Sequence, residues 1–195
     1  MGVMHDITDL VVTNQRFGEA AALLEEQAAQ LRVIATTDSP TGCLKRRALF
    51  SDAQARLAPT GTDSAALMLD LDHFKLVNDH RHHGAGDAAL EHFVECTRST
   101  LRDSDFLVRI GGETFAALLV GVDLPTAEAI AERICAKLRA TPLIFDGQPI
   151  AMTVRTGIKH TAGAVDSSIA ERLRKADSAL DDAKVSGRDR FFSVV

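Results

Sequence analysis

Phe106-Leu-Val-Arg-Ile-Gly-Gly-Glu-Thr-Phe-Ala-Ala-Leu-Leu-Val120 is two apolar runs joined through Gly111-Gly112. Each run has the length of a strand, and a glycine pair between them marks a tight hairpin, so an antiparallel pair lies within the domain. Upstream, Ala65-Ala-Leu-Met-Leu69 is a short apolar run bounded by a loop and by charge, the pattern of a buried strand. Downstream, the spacing predicts a helix over 126–140 behind Pro125, a strand over 150–158, a helix over 167–185 and a final strand over 190–195. Helical patterns over 73–80 and 87–101 are split by His83-Gly-Ala-Gly-Asp87, and another over 44–57 precedes the loop Pro59-Thr-Gly-Thr-Asp63. Alternating strands and helices with a hairpin among them give an α/β class with a mixed, largely antiparallel sheet flanked by helices.

The domain begins at Asp38-Ser-Pro-Thr-Gly42, where Pro40 and Gly42 punctuate the chain. Before it, Leu10, Phe17, Leu24 and Leu31 recur every seven residues with Ala21, Ala28 and Ala35 between them. This narrow stripe predicts a long helix from about residue 9 to residue 36, either paired with a second copy as a coiled coil or folded back on its own domain. The expected division is therefore 1–37 and 38–195.

Composition narrows the class. The chain has 195 residues, 46% hydrophobic and 25% charged, with 22 Lys plus Arg against 27 Asp plus Glu and a net charge of −5. That size supports a core without disulfide staples, and the acidity argues against a broad nucleic-acid surface, which needs clustered cations in excess. Cys43, Cys96 and Cys135 are odd in number and in no metal-binding spacing, so they read as core thiols of a protein in a reducing, cytoplasmic setting. No run of apolar residues is long enough to span a bilayer, and the N-terminus lacks the layout of a signal peptide.

Three segments carry charge in a pattern that suggests chemistry. In Leu69-Asp-Leu-Asp72, Asp70 and Asp72 project from one face of a strand end. Two such carboxylates need a cation between them, and Mg²⁺ suits oxygen ligands at a strand end. The alternative is that one of them caps the next helix, Asp72 being the expected cap and Asp70 the ligand. In the hairpin, Gly111 and Gly112 leave the backbone open to a bulky phosphorylated ligand and Glu113 adds a carboxylate, although a plain type I′ turn has the same sequence. Near the C-terminus, Lys184 and Arg188 either complement a helix dipole or clamp terminal phosphates.

Taken in order, Asp38-Ser-Pro-Thr-Gly42, Asp70-Leu-Asp-His-Phe-Lys75, Asn78-Asp79, His83-Gly-Ala-Gly-Asp87, Arg109-Ile-Gly-Gly-Glu-Thr-Phe115 and Ala183-Lys-Val-Ser-Gly-Arg188 resemble the GGDEF family of bacterial diguanylate cyclases from Asp38 to the C-terminus. The resemblance implies a nucleotidyl-cyclase-like, ferredoxin-like sheet and the condensation of two GTP into cyclic di-GMP and two pyrophosphates across a homodimer. It implies that Asp70, Glu113 and the carbonyl of Leu71 hold Mg²⁺ or Mn²⁺, and that Glu113 helps to deprotonate the 3′-hydroxyl. Asn78 and Asp87 would read guanine, while His73, Phe74, Lys75, Gly111, Gly112, Lys184 and Arg188 would surround the phosphates. Arg102-Asp-Ser-Asp105, with Arg133, matches the family's inhibitory RxxD site for the cyclic product. His5-Asp-Ile-Thr8 resembles the closing strand of a PAS sensor, which makes the helix a signalling linker from an upstream sensor domain. The family's signature has Glu where this chain has Thr114; His82, Asp181 and Asp189 also depart from the pattern. The alternative to the enzyme is thus a weakened or inactive domain that binds cyclic di-GMP or GTP as a regulatory module.

Overall fold

The computed structural model describes the backbone of residues 3–49, 62–163, 168–185 and 191–194, and their side chains other than those of 3–16, 80–83 and 184–185. The chain divides into two units, Met1–Thr37 and Asp38–Val195. The first is one helix, α1 (Val3–Thr36). Residues 5–8 lie inside it, so the strand expected there is not formed. A lone strand leaves its backbone groups unpaired, whereas a helix satisfies them within the segment. Thr36 and Thr37 close the helix through their hydroxyls, which donate to the carbonyls of Arg32 and Val33, each at 2.6 Å. Phe17, Leu24 and Leu31 are exposed in the single chain.

The second unit is built on β1 (Leu44–Lys45), β2 (Ser64–Leu71), α2 (Phe74–Arg98), β3 (Phe106–Gly111), β4 (Thr114–Val120), α3 (Leu124–Ala140), β5 (Leu143–Phe145), β6 (Gln148–Ile150), β7 (Val154–Thr161), α4 (Ile169–Val185) and β8 (Phe191–Val194). The main sheet has the order β1-β3-β4-β2-β7-β8. Its three inner pairings are antiparallel and its two outer ones, β1 with β3 and β7 with β8, are parallel. The expected α/β class with a mixed, largely antiparallel sheet is therefore the observed one.

Every residue of β2 is buried, as its apolar run requires. Alternation along the strand divides the core between two faces. Leu67, Leu69 and Leu71 join Phe93 of α2, Phe115 of β4 and Ile134 and Leu138 of α3, and the Phe93 and Phe115 rings sit 4.8 Å apart at 49°. Ala66 and Met68 face the other way, toward Leu173, Ala176 and Leu180 of α4. Gly157 of β7 lets α4 approach: a Cβ there would stand 2.1 Å from the Ala176 carbonyl oxygen. All three cysteines are free and buried, and burial holds the Cys43 thiol above its ordinary pKa. Among the described residues, no helix is long and apolar enough to cross a membrane.

Four local expectations are corrected. Leu44 and Lys45 form a strand, and helical structure starts only at 46–49; Ala53 and Leu57 lie outside the described residues. The two helices expected over 73–101 are one, α2, with Gly84 and Gly86 inside it. Glycine in a helix costs about 1 kcal/mol relative to alanine without ending the helix. The strand expected over 150–158 is two, because β5 and β6 make a separate hairpin through Asp146 (φ 49°) and Gly147 (φ 73°) before β7 begins. The β3–β4 turn is not type I′. Gly112 has φ 51°, but Glu113 is not among the positive-φ residues, and type I′ needs both.

Candidate functional site

The acidic end of β2 lies at the centre of the sheet with β4 on one side and β7 on the other. Register sets Thr114 of β4 and Arg155 of β7 directly opposite Asp70. Thr114 Oγ1 donates to Asp70 Oδ1 at 2.7 Å, and Arg155 Nη2 donates to Asp70 Oδ2. The same guanidinium reaches Asp72, Nη1 donating to Oδ1 at 2.5 Å, while Thr153 Oγ1 donates to Asp72 Oδ2 at 2.8 Å. Asp70, Asp72 and Arg155 are all buried. Asp72 is thus a partner of β7 and not the helix cap. The N-cap position of α2 belongs to His73, in the left-handed region with no side-chain hydrogen bond.

The cation between the two carboxylates is one that sequence reading overlooked. Arg155 stands in a strand otherwise rich in buried residues, and a charged side chain there needs a counter-charge. That demand was the available signal.

The hairpin tip is fastened from two directions. Arg109 donates through Nε and Nη2 to the Gly112 carbonyl at 3.0 and 2.7 Å, and through Nη1 to Asp38 Oδ2 at 2.8 Å. Burial pushes the Asp38 carboxyl up, but the Arg109 and Thr41 hydrogen bonds and the Arg109 charge together outweigh it and hold its pKa below the ordinary value. On the other side, the Leu71 N–H donates to the Glu113 carbonyl at 3.3 Å. Asp70, Leu71 and Glu113 are therefore gathered where β2 ends, and Gly111 and Gly112 beside them are exposed, with no atom of the described residues beyond their chain neighbours within 4 Å of where a Cβ would sit.

The start of α2 flanks this end. His73 and Lys75 are exposed and Phe74 is buried, and residues 71–74 line a cleft of about 480 Å³ with Met152 and Thr153. Asn78 is half-buried over Gly86, where a Cβ would stand 1.9 Å from its Oδ1. The glycine that looked like a helix break makes room for Asn78 next to exposed Asp87. Lys184 is in the last turn of α4, and its side chain and all of Arg188 lie outside the described residues.

Farther along the sheet, Asp105 Oδ2 accepts from the Arg102 backbone N–H at 2.9 Å, closing the 102–105 turn, while its Oδ1 is buried with no partner among the described residues. Arg133 Nη2 donates to the Thr100 carbonyl at 2.5 Å, bringing α3 to the same segment. The Arg102 side chain is exposed and lines a cleft of about 450 Å³ with Asp63, Asp123 and Thr126.

Mg²⁺ or Mn²⁺ at Asp70 needs a carboxylate lone pair with no like charge already seated against it. Here both oxygens of Asp70 accept protein hydrogen bonds and one carries an ion pair. Among the described residues, no group of three or more His, Cys, Asp or Glu is placed to hold a metal ion. In this arrangement the site does not fit a divalent cation.

Comparison with known proteins bears on identity. Residues 35–190 match the family model described as "Diguanylate cyclase, GGDEF domain". The chain is 38% identical over 171 residues to Diguanylate cyclase DgcP of Pseudomonas aeruginosa, covering 86% of this chain and 24% of that protein. It is 33% identical over 185 residues to Cyclic di-GMP phosphodiesterase NbdA of the same organism, covering 92% and 23%. The chain thus spans about a quarter of the length of these relatives. The crystal structure of the coiled coil and GGDEF domain of DgcB from Caulobacter crescentus, in complex with c-di-GMP, aligns with a TM-score of 0.82 at 26% identity over 93% of this chain and 98% of that one. With the sheet order, the glycine hairpin and the acidic strand end all on one domain, the chain belongs to the GGDEF family of diguanylate cyclase domains.

Proposed function

We propose that this chain supplies one half-site of a diguanylate cyclase. Two GTP-loaded copies face each other, and each ribose 3′-oxygen attacks the α-phosphorus of the other GTP. Each attack forms one phosphodiester bond and releases one pyrophosphate, so the product is cyclic di-GMP. The observation that supports this most is the Leu71–Glu113 backbone hydrogen bond, which fastens the open glycine hairpin beside the acidic end of β2.

In this reading, Gly111 and Gly112 allow the triphosphate to approach the backbone, and Lys75, Lys184 and Arg188 meet its charge with His73 and Phe74 alongside. Asn78 and Asp87 read the guanine edge, whose N1–H and 2-amino donors suit a carboxylate acceptor. Glu113 accepts the 3′-hydroxyl proton as the oxygen attacks. Mg²⁺ or Mn²⁺ is the cofactor the resemblance implies; with Asp70 held by Arg155 and Thr114, no step is routed through it. Each copy holds half the chemistry, so pairing raises the effective concentration of the second half-site. Residues 1–37 act as the dimerising signalling helix from an upstream sensor and 38–195 as the cyclase domain, in the cytoplasm. Arg102, Asp105 and Arg133 bind the product and lower turnover.

Incubating the purified protein with GTP and Mg²⁺ or Mn²⁺ and separating the products by chromatography tests this. Cyclic di-GMP is expected; intact GTP at every metal concentration would refute the enzyme reading. A second reading follows from Thr114 and Arg155 around Asp70: a domain that binds GTP or cyclic di-GMP without turnover. Nucleotide binding with no product supports that one.

A further inference from the structure

We propose that Arg155 is a built-in counter-ion that competes with a divalent cation for Asp70, so that metal enters this site only as the guanidinium leaves. The argument starts with the strand. Asp70, at the end of β2, and Asp72, one residue past it, are both buried and repel one another unless positive charge lies between them. In this chain the protein provides that charge itself. Arg155 is opposite Asp70 in the antiparallel register, and its planar fork divides between the two carboxylates, Nη2 on Asp70 and Nη1 on Asp72.

The other oxygen of each carboxylate is hydrogen-bonded as well. Thr114 donates to the second oxygen of Asp70, and Thr153 to the second oxygen of Asp72. A dication reaching Asp70 therefore meets a like charge already seated and has to displace it. The seat is imperfect, which makes displacement feasible. Arg155 Nε is buried with no partner among the described residues, so the guanidinium is held at two of its three nitrogens, and moving it sacrifices nothing at the third.

This deepens the metal reading of the proposed cyclase site and rests on Asp70 belonging to it. The test contains no GTP, so absence of cyclase activity leaves its result intact. Mn²⁺ is titrated into the full chain, with free ion read by electron paramagnetic resonance and thermal unfolding followed with and without Mn²⁺. The parent should bind weakly and gain little stability from the ion. Arg155→Ser should bind at least ten-fold more tightly and show a larger Mn²⁺-dependent rise in Tm, because the ion now neutralises the two carboxylates. Arg155→Lys, which keeps the charge, should behave as the parent does, and adding Asp70→Asn to Arg155→Ser should abolish the gain. If Arg155→Ser folds only when Mn²⁺ is present, the proposal is supported outright. Equal Mn²⁺ affinity in the parent and Arg155→Ser overturns it, as does an Arg155→Ser protein that stays unfolded at saturating Mn²⁺.

Discussion

Two glycines in this domain differ in kind, and substituting each by alanine separates ligand approach from packing. Gly157 has ordinary φ but no space: its Cβ would lie 2.1 Å from Ala176 O, 2.3 Å from Leu180 N and 2.9 Å from Ala179 C, all backbone atoms of α4. Ordinary contact begins at 3.4 Å, so the helix has to retreat by about 1.3 Å or the strand has to buckle. Overpacking of this sort costs about 3 kcal/mol, which for a domain of this size lowers Tm by roughly 6–12 °C. Gly111 has neither restriction, with no positive φ and, among the described residues beyond its chain neighbours, no atom within 4 Å of its Cβ position. Gly111→Ala should therefore stay within about 0.5 kcal/mol of the parent in stability. Its methyl instead stands where the proposed triphosphate comes down on the hairpin, and GTP affinity should fall by roughly ten-fold, about 1.4 kcal/mol. Thermal unfolding and GTP titration calorimetry on the two variants measure both quantities. Parent-like GTP affinity in Gly111→Ala, or a stability loss matching that of Gly157→Ala, would refute the assignment of the hairpin as a ligand-facing surface.

Three further outcomes are expected. The Asp38 carboxyl has a lowered folded pKa, so its contribution is complete above the unfolded value of about 3.9 and is lost as pH falls through the folded value; Asp38→Asn should flatten the fall in stability on acidification below about pH 4, as read by urea unfolding at stepped pH, and an unchanged slope contradicts it. Arg102→Ala should relieve inhibition by added cyclic di-GMP while leaving initial rates intact, and superimposable inhibition curves would remove Arg102 from the product site. Changing Leu24 and Leu31 to Asp, both on the exposed stripe of α1, should convert a dimer to monomer in sedimentation, since burying two carboxylates in an apolar seam costs more than the ~2–7 kcal/mol of an unpaired neutral polar group; a persisting dimer moves the interface elsewhere.

What the sequence made legible was whatever depended on local pattern. The β3–β4 hairpin, the buried β2 and the helix behind Pro125 each announce themselves by spacing, and Asp123 caps that helix by accepting from the Thr126 N–H at 2.9 Å. What escaped depended on pairing between distant segments. β1 is two residues long and exists through its parallel register with Val108 and Arg109, too short for any periodicity to reveal. The Asp146-Gly147 turn went unread, and the single strand expected over 150–158 merged the end of β6 with β7. Gly86 looked like a stop because its purpose, clearance for Asn78, lies two helical turns away. Arg155 shows the point most clearly: a charge in a buried strand and two acids at a strand end each lacked a partner in one dimension, and only the register identifies them as each other's.

Thr114 and Arg155 also explain one another. A glutamate at position 114, where the family signature carries one, would face Asp70 across the β2–β4 register and add a third negative charge at a half-buried position, which a single guanidinium cannot offset. A hydroxyl there can instead donate to Asp70, which is what an Asp70 already paired with Arg155 can accept. The two residues therefore form a self-consistent arrangement in which protein groups occupy the place of the cation, and restoring the acid alone would leave the guanidinium seated. Mg²⁺, with its strict octahedral demands and reluctant dehydration, is poorly suited to evicting a forked arginine from a buried strand end. A divalent cation would reach Asp70 only as Arg155 moves away, and the negative charge of a bound triphosphate would give the displaced guanidinium a new partner.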